Sequence, residues 1–147
     1  YLVEKTAVTL TGPEPATLIP PIGKDEFLTA TARYVLQLAA QDLAATSPTT
    51  LAYTVLTTCR AAMTLRTGEP VSKGDAAERL VSEMPEWTDV VEEAREARRS
   101  RGRRGFSAAD SRTRAVELVR VLASGVRPVE LLIASRSTRP RRPPRSP

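Results

Sequence analysis

A lysine beside a predicted helix cap is the first residue of this sequence that could do chemistry. Ser72 and Asp75 have the spacing of a capping box, which places Lys73 at the opening of a helix. Unpaired backbone N–H groups and the positive end of the helix dipole favour an anion at that position. The added ammonium of Lys73 predicts a phosphate site. From the spacing alone, a solvated lysine in the first helical turn is the more common explanation.

Arg60 is the second candidate for binding an anion. It lies on the preceding predicted helix beside the apolar Cys59 and eight residues before the turn at Gly68. Eight helical residues rise about 12 Å, a distance that an extended triphosphate could bridge. The alternative is an arginine that lies along the edge of the fold or pairs with an acid such as Glu78.

The composition excludes most other catalytic chemistry. The 147 residues include no histidine and one cysteine, Cys59. Nucleophilic pairs that need histidine, zinc sites that need imidazole and an intramolecular disulfide are therefore excluded. Three aspartates, Asp25, Asp75 and Asp110, are interpreted as parts of helix caps. No catalytic residue and no metal ligand is predicted.

The formal net charge of +5 is unevenly distributed along the chain. Residues 1–94 carry seven basic and thirteen acidic side chains, whereas residues 95–147 carry fifteen arginines and four acids. Such a run of arginines could contact phosphates without sequence preference, so a small basic helical module for nucleic-acid binding or interaction is the alternative function. Phe106 is the one aromatic residue near these arginines, and the lack of a base-stacking platform argues against nucleic acid as the partner.

The spacing of apolar residues predicts an all-α fold, an antiparallel bundle of about five helices with short connections. The helices are predicted at about 25–45, from Pro48 after the Ser47 cap to Gly68, from Ala76 to Met84, from Trp87 to about Gly102, and from a Ser107–Asp110 capping box to Gly125. Trp87 is interpreted as a core residue. The acids Glu92, Glu93 and Glu96 are predicted to face the solvent.

Segments of different composition flank the predicted helical domain, which covers residues 24–125. Residues 1–23 combine a short β-prone, extended stretch with a proline-rich linker. Residues 126–147 form a basic tail rich in Arg and Pro that is predicted to be disordered. No apolar run approaches the roughly 18 residues of a membrane helix, and the first residues lack the layout of a signal peptide. We therefore expect a cytoplasmic protein without a membrane partner.

The residues around Arg60 and Lys73 resemble a known family. They are Leu56–Arg60, Thr67–Gly68, Ser72–Ala77 and Leu80–Pro85, preceded by Leu10–Ala16 and Ile19–Pro21. In order and spacing they resemble the C-terminal helical domain of aminoglycoside adenylyltransferases of the streptomycin/spectinomycin type. The resemblance extends from about Thr9 to about Leu122 and does not include the tail after Gly125.

This resemblance implies transfer of AMP from ATP to an aminoglycoside hydroxyl, and hence antibiotic resistance. In that family two Mg²⁺ ions are bound by carboxylates of an N-terminal α/β nucleotidyltransferase domain, and the helical domain closes over both substrates. Arg60 and Lys73 would hold the ATP phosphates. The chain has neither a Gly-Ser dipeptide nor an Asp-x-Asp motif. Residues 1–23 would then be the end of the nucleotidyltransferase domain, the catalytic domain would be a partner, and this chain alone would be inactive.

Two regions depart from the pattern of the family. Its members contact the cationic drug through acids before and within the start of the second helix, whereas residues 46–53 contain no carboxylate here. Aminoglycoside binding would then depend on other groups, such as Asp42. A tyrosine that the family tends to place late in the fourth helix is replaced by Arg98 or Arg99, so this nucleotide contact would also differ.

Overall fold

The computed structural model describes residues 11–18 and 20–137, except for the side chains of residues 15, 16 and 127–137. Helices without any β-strand make up the regular structure of these residues, which confirms the predicted all-α fold. Five helices pack together: α1 (Lys24–Ala39), α2 (Pro48–Thr67), α3 (Lys73–Glu83), α4 (Thr88–Arg99) and α5 (Ala109–Ser137). Three shorter pieces complete the fold, namely one α-turn at Pro15–Leu18 and two 3₁₀ turns at Leu43–Ala45 and Pro85–Trp87.

Helix α2 is the centre of the bundle and contacts each of the other four helices. Thirteen of its twenty residues are buried, so α2 is enclosed on nearly all sides. The apolar spacing had indicated a single buried stripe, which is typical of a surface helix. Between Leu51 and Leu65, the exposed residues are Tyr53 and Arg60. This narrow edge is the part of α2 that a ligand could reach.

The predicted helix ends are confirmed where the capping residue bonds to a backbone group no more than four residues away. The Ser47 hydroxyl accepts a hydrogen bond from the Thr50 N–H, and the Ser72 hydroxyl accepts one from the Asp75 N–H, both at 3.1 Å. Gly68 ends α2 in the left-handed conformation with a φ of 70°. Trp87 is 8% exposed and belongs to the core, as predicted.

Several predicted helix ends are wrong. Helix α1 begins at Lys24 without a side-chain cap from Asp25, and it ends at Ala39 instead of near residue 45. Helix α5 begins at Ala109, so Ser107 is not its cap. The same helix continues through Gly125 because Val126, the next residue, is buried in a cluster with residues of α1 and α2. Burial of this turn outweighs the cost of about 1 kcal/mol for a glycine inside a helix.

The two flanking segments differ from their predictions where the structure describes them. Residues 15–18 of the predicted linker form a helical turn, and residues 126–137 of the predicted tail belong to α5. The β-prone stretch before residue 11 and the end of the tail at residues 138–147 lie outside the described residues.

The turn after α4 requires glycine at position 105, and this gives a test of the fold. Gly105 has a φ of +101°, and an added Cβ would lie 2.7 Å from the Ala97 Cβ and 2.9 Å from the Glu93 carbonyl oxygen. We expect Gly105→Ala to lower the free energy of unfolding by about 2–4 kcal/mol, since it combines an unfavourable φ with overpacking.

Gly125 provides the matched control for this substitution. It lies inside α5, and an added Cβ would meet no atom within 4 Å. Gly125→Ala should therefore raise the free energy of unfolding by about 0.5–1 kcal/mol. Urea denaturation followed by circular dichroism measures both changes, and a shift of the same sign in both variants would contradict the described backbone.

Candidate functional site

The exposed edge of α2 faces the beginning of α3. Tyr53 and Arg60 are seven residues apart and therefore share one side of the helix. Lys73 is the first residue of α3, and its Nζ atom lies 3.8 Å from the centre of the Tyr53 ring. A cation at this distance from an aromatic face is attracted by the ring. The structure thus brings Lys73 to the same edge as Arg60.

A third cation reaches Lys73 from α4. Burial lowers the pKa of the Lys73 ammonium below its ordinary value, Tyr53 partly opposes this change, and the positive charges of Arg60 and Arg98 lower the pKa further. Both arginines therefore act on the Lys73 charge through Coulombic repulsion. We call the surface formed by Arg60, Lys73 and Arg98 the basic cleft.

The basic cleft includes a concave part between α2, α3 and α4. This part has a volume of about 170 Å³, and the residues that line it are Leu56, Lys73, Gly74, Arg95, Arg98 and Arg99. The backbone at Lys73 and Gly74 belongs to the first turn of α3. Because the first N–H groups of a helix have no partner within the helix, this wall of the cleft can also donate hydrogen bonds to an anion.

Two neighbouring arginines of the cleft are neutralised by acids of the protein. Arg95 pairs with Glu92 at 2.8 Å and with Glu78 at 3.1 Å, and Arg99 pairs with Glu96 at 3.0 Å. Glu78 was the acid that the sequence offered as a partner for Arg60, so the structure does not support this alternative.

The three cations of the basic cleft have a different environment. Within the described part of the chain, Arg60, Lys73 and Arg98 form no ion pair with a carboxylate. Arg60 and Arg98 are exposed, and Lys73 is half-buried. Three like charges that have no carboxylate partner among the described residues make a site that an anion would stabilise.

A second cavity is lined by Arg60 and by residues of α1. It has a volume of about 340 Å³, and its walls include Tyr34, Thr57, Arg60 and Pro70. Tyr34 is 42% exposed, whereas the Thr57 hydroxyl is buried and has no hydrogen-bond partner among the described residues. Arg60 therefore lines this second cavity and not the 170 Å³ cavity beside Lys73.

The family pattern places acids in the segment before α2. Here the polar side chains of this segment form hydrogen bonds with neighbouring residues of the same segment. The Thr46 hydroxyl donates to the Leu43 carbonyl at 2.8 Å, and the Ser47 and Thr50 hydroxyls lie 2.9 Å apart. The Arg112 guanidinium from α5 donates to the Thr46 carbonyl oxygen as well. Asp42, the other acid that the sequence offered for drug binding, lies before the 3₁₀ turn and is exposed.

Two features of this site were not predicted from the sequence: the contact of Tyr53 with Lys73, and the position of Arg98 in the cavity beside Lys73. The one signal for Tyr53 was its position seven residues before Arg60 on the same helical face. Arg98 belongs to a run of arginines, and no spacing distinguishes it from Arg99. Which of the two approaches Lys73 depends on how α4 packs against α2.

The prediction for Glu93 is also wrong. This carboxylate does not face the solvent: it accepts hydrogen bonds from the Phe106 N–H and, at 3.2 Å, from the Ser111 hydroxyl. The reason is non-local, since the turn after α4 folds back and brings the start of α5 over Glu93. Hydrogen bonds of Glu93 thereby link α4 to the turn before α5 and to the start of α5.

The described residues lack a metal-binding cluster and a membrane-spanning helix. In the described ranges, no three His, Cys, Asp or Glu side chains lie together in a way that could hold a metal ion. No helix formed by these residues is long and apolar enough to cross a membrane. Burial raises the pKa of the Cys59 thiol to about 12, which keeps this neighbour of Arg60 protonated and unreactive.

Comparison with known proteins gives one match. The family model of the aminoglycoside adenylyltransferase C-terminal domain matches residues 17–124. This range covers α1 to α4 and the first half of α5, and it includes all three residues of the basic cleft. The comparison with curated proteins gave no match, and neither did the comparison with solved structures.

Proposed function

The chain belongs to the family of aminoglycoside adenylyltransferase C-terminal domains, and we propose from this that its basic cleft binds the phosphates of ATP. In this proposal Arg60 and Lys73 contact the triphosphate during AMP transfer to an aminoglycoside hydroxyl, a reaction that confers antibiotic resistance. The observation that carries the proposal is a group of cations, centred on Lys73 at the N-terminus of α3, that form no ion pair with an acid of the described residues.

The chemistry of the cleft fits a triphosphate in two respects. The cations come from three different helices, so an extended polyanion can contact more of them at once than a single small anion can. Charge-assisted hydrogen bonds to phosphate are about twice as strong as neutral ones. Lys73 is partly buried, as the lowered pKa of its ammonium indicates. A hydrogen bond from this ammonium to a phosphate would be stronger for that reason.

Metal ions and the catalytic carboxylates are assigned to a partner domain. We propose that an N-terminal nucleotidyltransferase domain binds two Mg²⁺ ions and that this chain alone does not turn over. Bound metal ions would neutralise part of the phosphate charge and orient the reacting oxygens. The part of this chain is to bind and orient the phosphates and to exclude water as it closes over the substrates, in the cytoplasm where ATP is available.

The acceptor is proposed to be an aminoglycoside on the basis of the family. Since the segment at residues 46–53 lacks carboxylates, contacts to the cationic drug would come from Asp42 or from the partner domain. The geometry supports the nucleotide side of the reaction more directly than the drug side.

Isothermal titration calorimetry of the 147-residue chain tests the proposal. ATP and inorganic tripolyphosphate should bind, because both carry the polyphosphate group, and adenosine should not bind measurably. Loss of the heat signal in added salt is expected, since ionic contacts are screened. If neither ATP nor tripolyphosphate binds at millimolar concentration, the proposed role of the cleft is wrong.

The alternative function, a basic module for nucleic acids, is distinguished by the same titration. The structure weakens this alternative because Arg95, Arg99 and Arg104 of the arginine run lie within 4 Å of glutamates. Binding of duplex DNA more tightly than ATP, with a steep dependence on salt, would favour the alternative.

A further inference from the structure

We propose that Arg98 is a third phosphate-binding residue and that the basic cleft selects polyphosphates over single phosphate groups. This inference rests on the proposed function of the cleft and assigns a phosphate contact to Arg98, which the sequence could not distinguish from Arg99. The ligand is identified by its chemistry as the polyphosphate part of a nucleoside triphosphate.

The first argument is the position of Arg98. It lies in the last turn of α4, is exposed, and lines the 170 Å³ cleft together with Lys73 and Gly74. A cation in the last turn is favoured by the helix dipole, which explains an arginine at this position. The dipole does not explain why this arginine lines the same cavity as another cation, the Lys73 ammonium, whose pKa it lowers.

The second argument is the contrast with the neighbours of Arg98 on the same helix. Arg95 pairs with two glutamates, and Arg99 pairs with Glu96. Among the described residues, no acid pairs with Arg98. Acids of α3 and α4 therefore pair with the arginines on either side of Arg98, and Arg98 is left at the cleft with no paired acid among the described residues, so a bound anion would neutralise it.

The third argument concerns the shape of the ligand. A guanidinium is planar and can donate two parallel hydrogen bonds to one phosphate, whereas an ammonium acts as a compact point charge. Arg98 on α4 and Lys73 on α3 line the 170 Å³ cavity, and Arg60 lies outside it on α2. A ligand with several linked phosphates can contact all three, and inorganic phosphate can contact fewer of them.

Calorimetric titration of two matched variants, Arg98→Gln and Arg120→Gln, tests this inference. Each substitution removes one positive charge from an exposed arginine, but Arg120 lies on α5 and lines cavities that do not include Lys73. For tripolyphosphate we expect Arg98→Gln to weaken binding at least about fivefold, as loss of a charge-assisted contact predicts. Arg120→Gln should remain within about twofold of the unmodified chain, because a distant surface charge is screened.

Further measurements separate a binding role from a structural one. Inorganic phosphate should bind more weakly than tripolyphosphate to the unmodified chain, and Arg98→Lys should recover part of the lost affinity because the charge is restored. Thermal melts of all variants report whether they fold. Equal affinities of Arg98→Gln and Arg120→Gln for tripolyphosphate would overturn the inference and would leave the proposed function intact if Lys73→Ala still weakens binding. Absence of tripolyphosphate binding to the unmodified chain would overturn both.

Discussion

Replacement of Lys73 by alanine is expected to weaken ATP binding at least tenfold, and replacement of Arg60 by alanine should have an effect of the same size. Each substitution removes one cation of the basic cleft, the half-buried Lys73 or the exposed Arg60. Hydrogen bonds to charged groups contribute about 1.5–3 kcal/mol, and about 1.4 kcal/mol corresponds to a factor of ten in affinity. Calorimetry measures the loss for this chain, and ATP kinetics measure it for a version joined to its catalytic domain.

Lys24→Ala is the residue-matched control for Lys73→Ala. Lys24 is the first residue of α1, and its Nζ atom pairs with Glu69 at 2.8 Å. This charge is already neutralised by the protein, so its removal should change ATP affinity by no more than about twofold. ATP affinity or kinetics that stay unchanged in both Lys73→Ala and Arg60→Ala would remove the phosphate role from these residues.

The largest effect on stability is expected for Phe106→Ala. Phe106 is fully buried in the main core, and its backbone has a φ of 50°, which is uncommon outside glycine. The phenyl ring fills the space under the turn between α4 and α5. Truncation of a buried phenylalanine costs about 3–5 kcal/mol, out of a total stability of about 5–15 kcal/mol for a typical domain. Urea denaturation followed by Trp87 fluorescence measures the change.

Two variants define what result would contradict this prediction. Phe106→Leu keeps most of the apolar volume and should cost less than about 1.5 kcal/mol. Val121→Ala removes an apolar side chain that is 39% exposed on α5 and should cost less than Phe106→Ala by a wide margin. A loss for Phe106→Ala as small as that for Val121→Ala would mean that residue 106 does not lie in the core.

Phe106 and the basic cleft are connected through α4. The Phe106 N–H donates to the Glu93 carboxylate, and the Phe106 carbonyl accepts from Arg112 at 3.3 Å. These contacts hold the end of α4 against α5, and Arg98 lies in the last turn of α4. The position of the third cation therefore depends on a turn that is itself stabilised by a buried aromatic ring.

The sequence by itself determined the all-α class, the family, and those helix ends whose signals are local. Ser47, Ser72 and Gly68 act on backbone groups within four residues, so their roles follow from spacing alone. The position of Lys73 at the start of a helix follows for the same reason. Hydrogen bonds of this kind depend on residue type and spacing within one helical turn, and not on the tertiary surroundings.

Helix ends that depend on distant contacts could not be predicted in this way. Gly125 is a local signal for termination, yet burial of Val126 in the second apolar cluster carries α5 past it. Asp25 is a suitable cap, yet α1 begins one residue before it. Tertiary burial contributes more free energy than a single cap or glycine, and it overrides these signals.

Only the tertiary structure decided which side chains share the basic cleft. Tyr53, Lys73 and Arg98 lie on three different helices, and the contact between the first two spans a loop and a helix start. Their proximity follows from the enclosure of α2 by its four neighbours, which leaves one narrow edge open. The positions of α3 and α4 relative to this edge are determined by side-chain packing, which consists of many weak contacts between residues far apart in sequence. The spacing of residues along the chain does not predict these contacts.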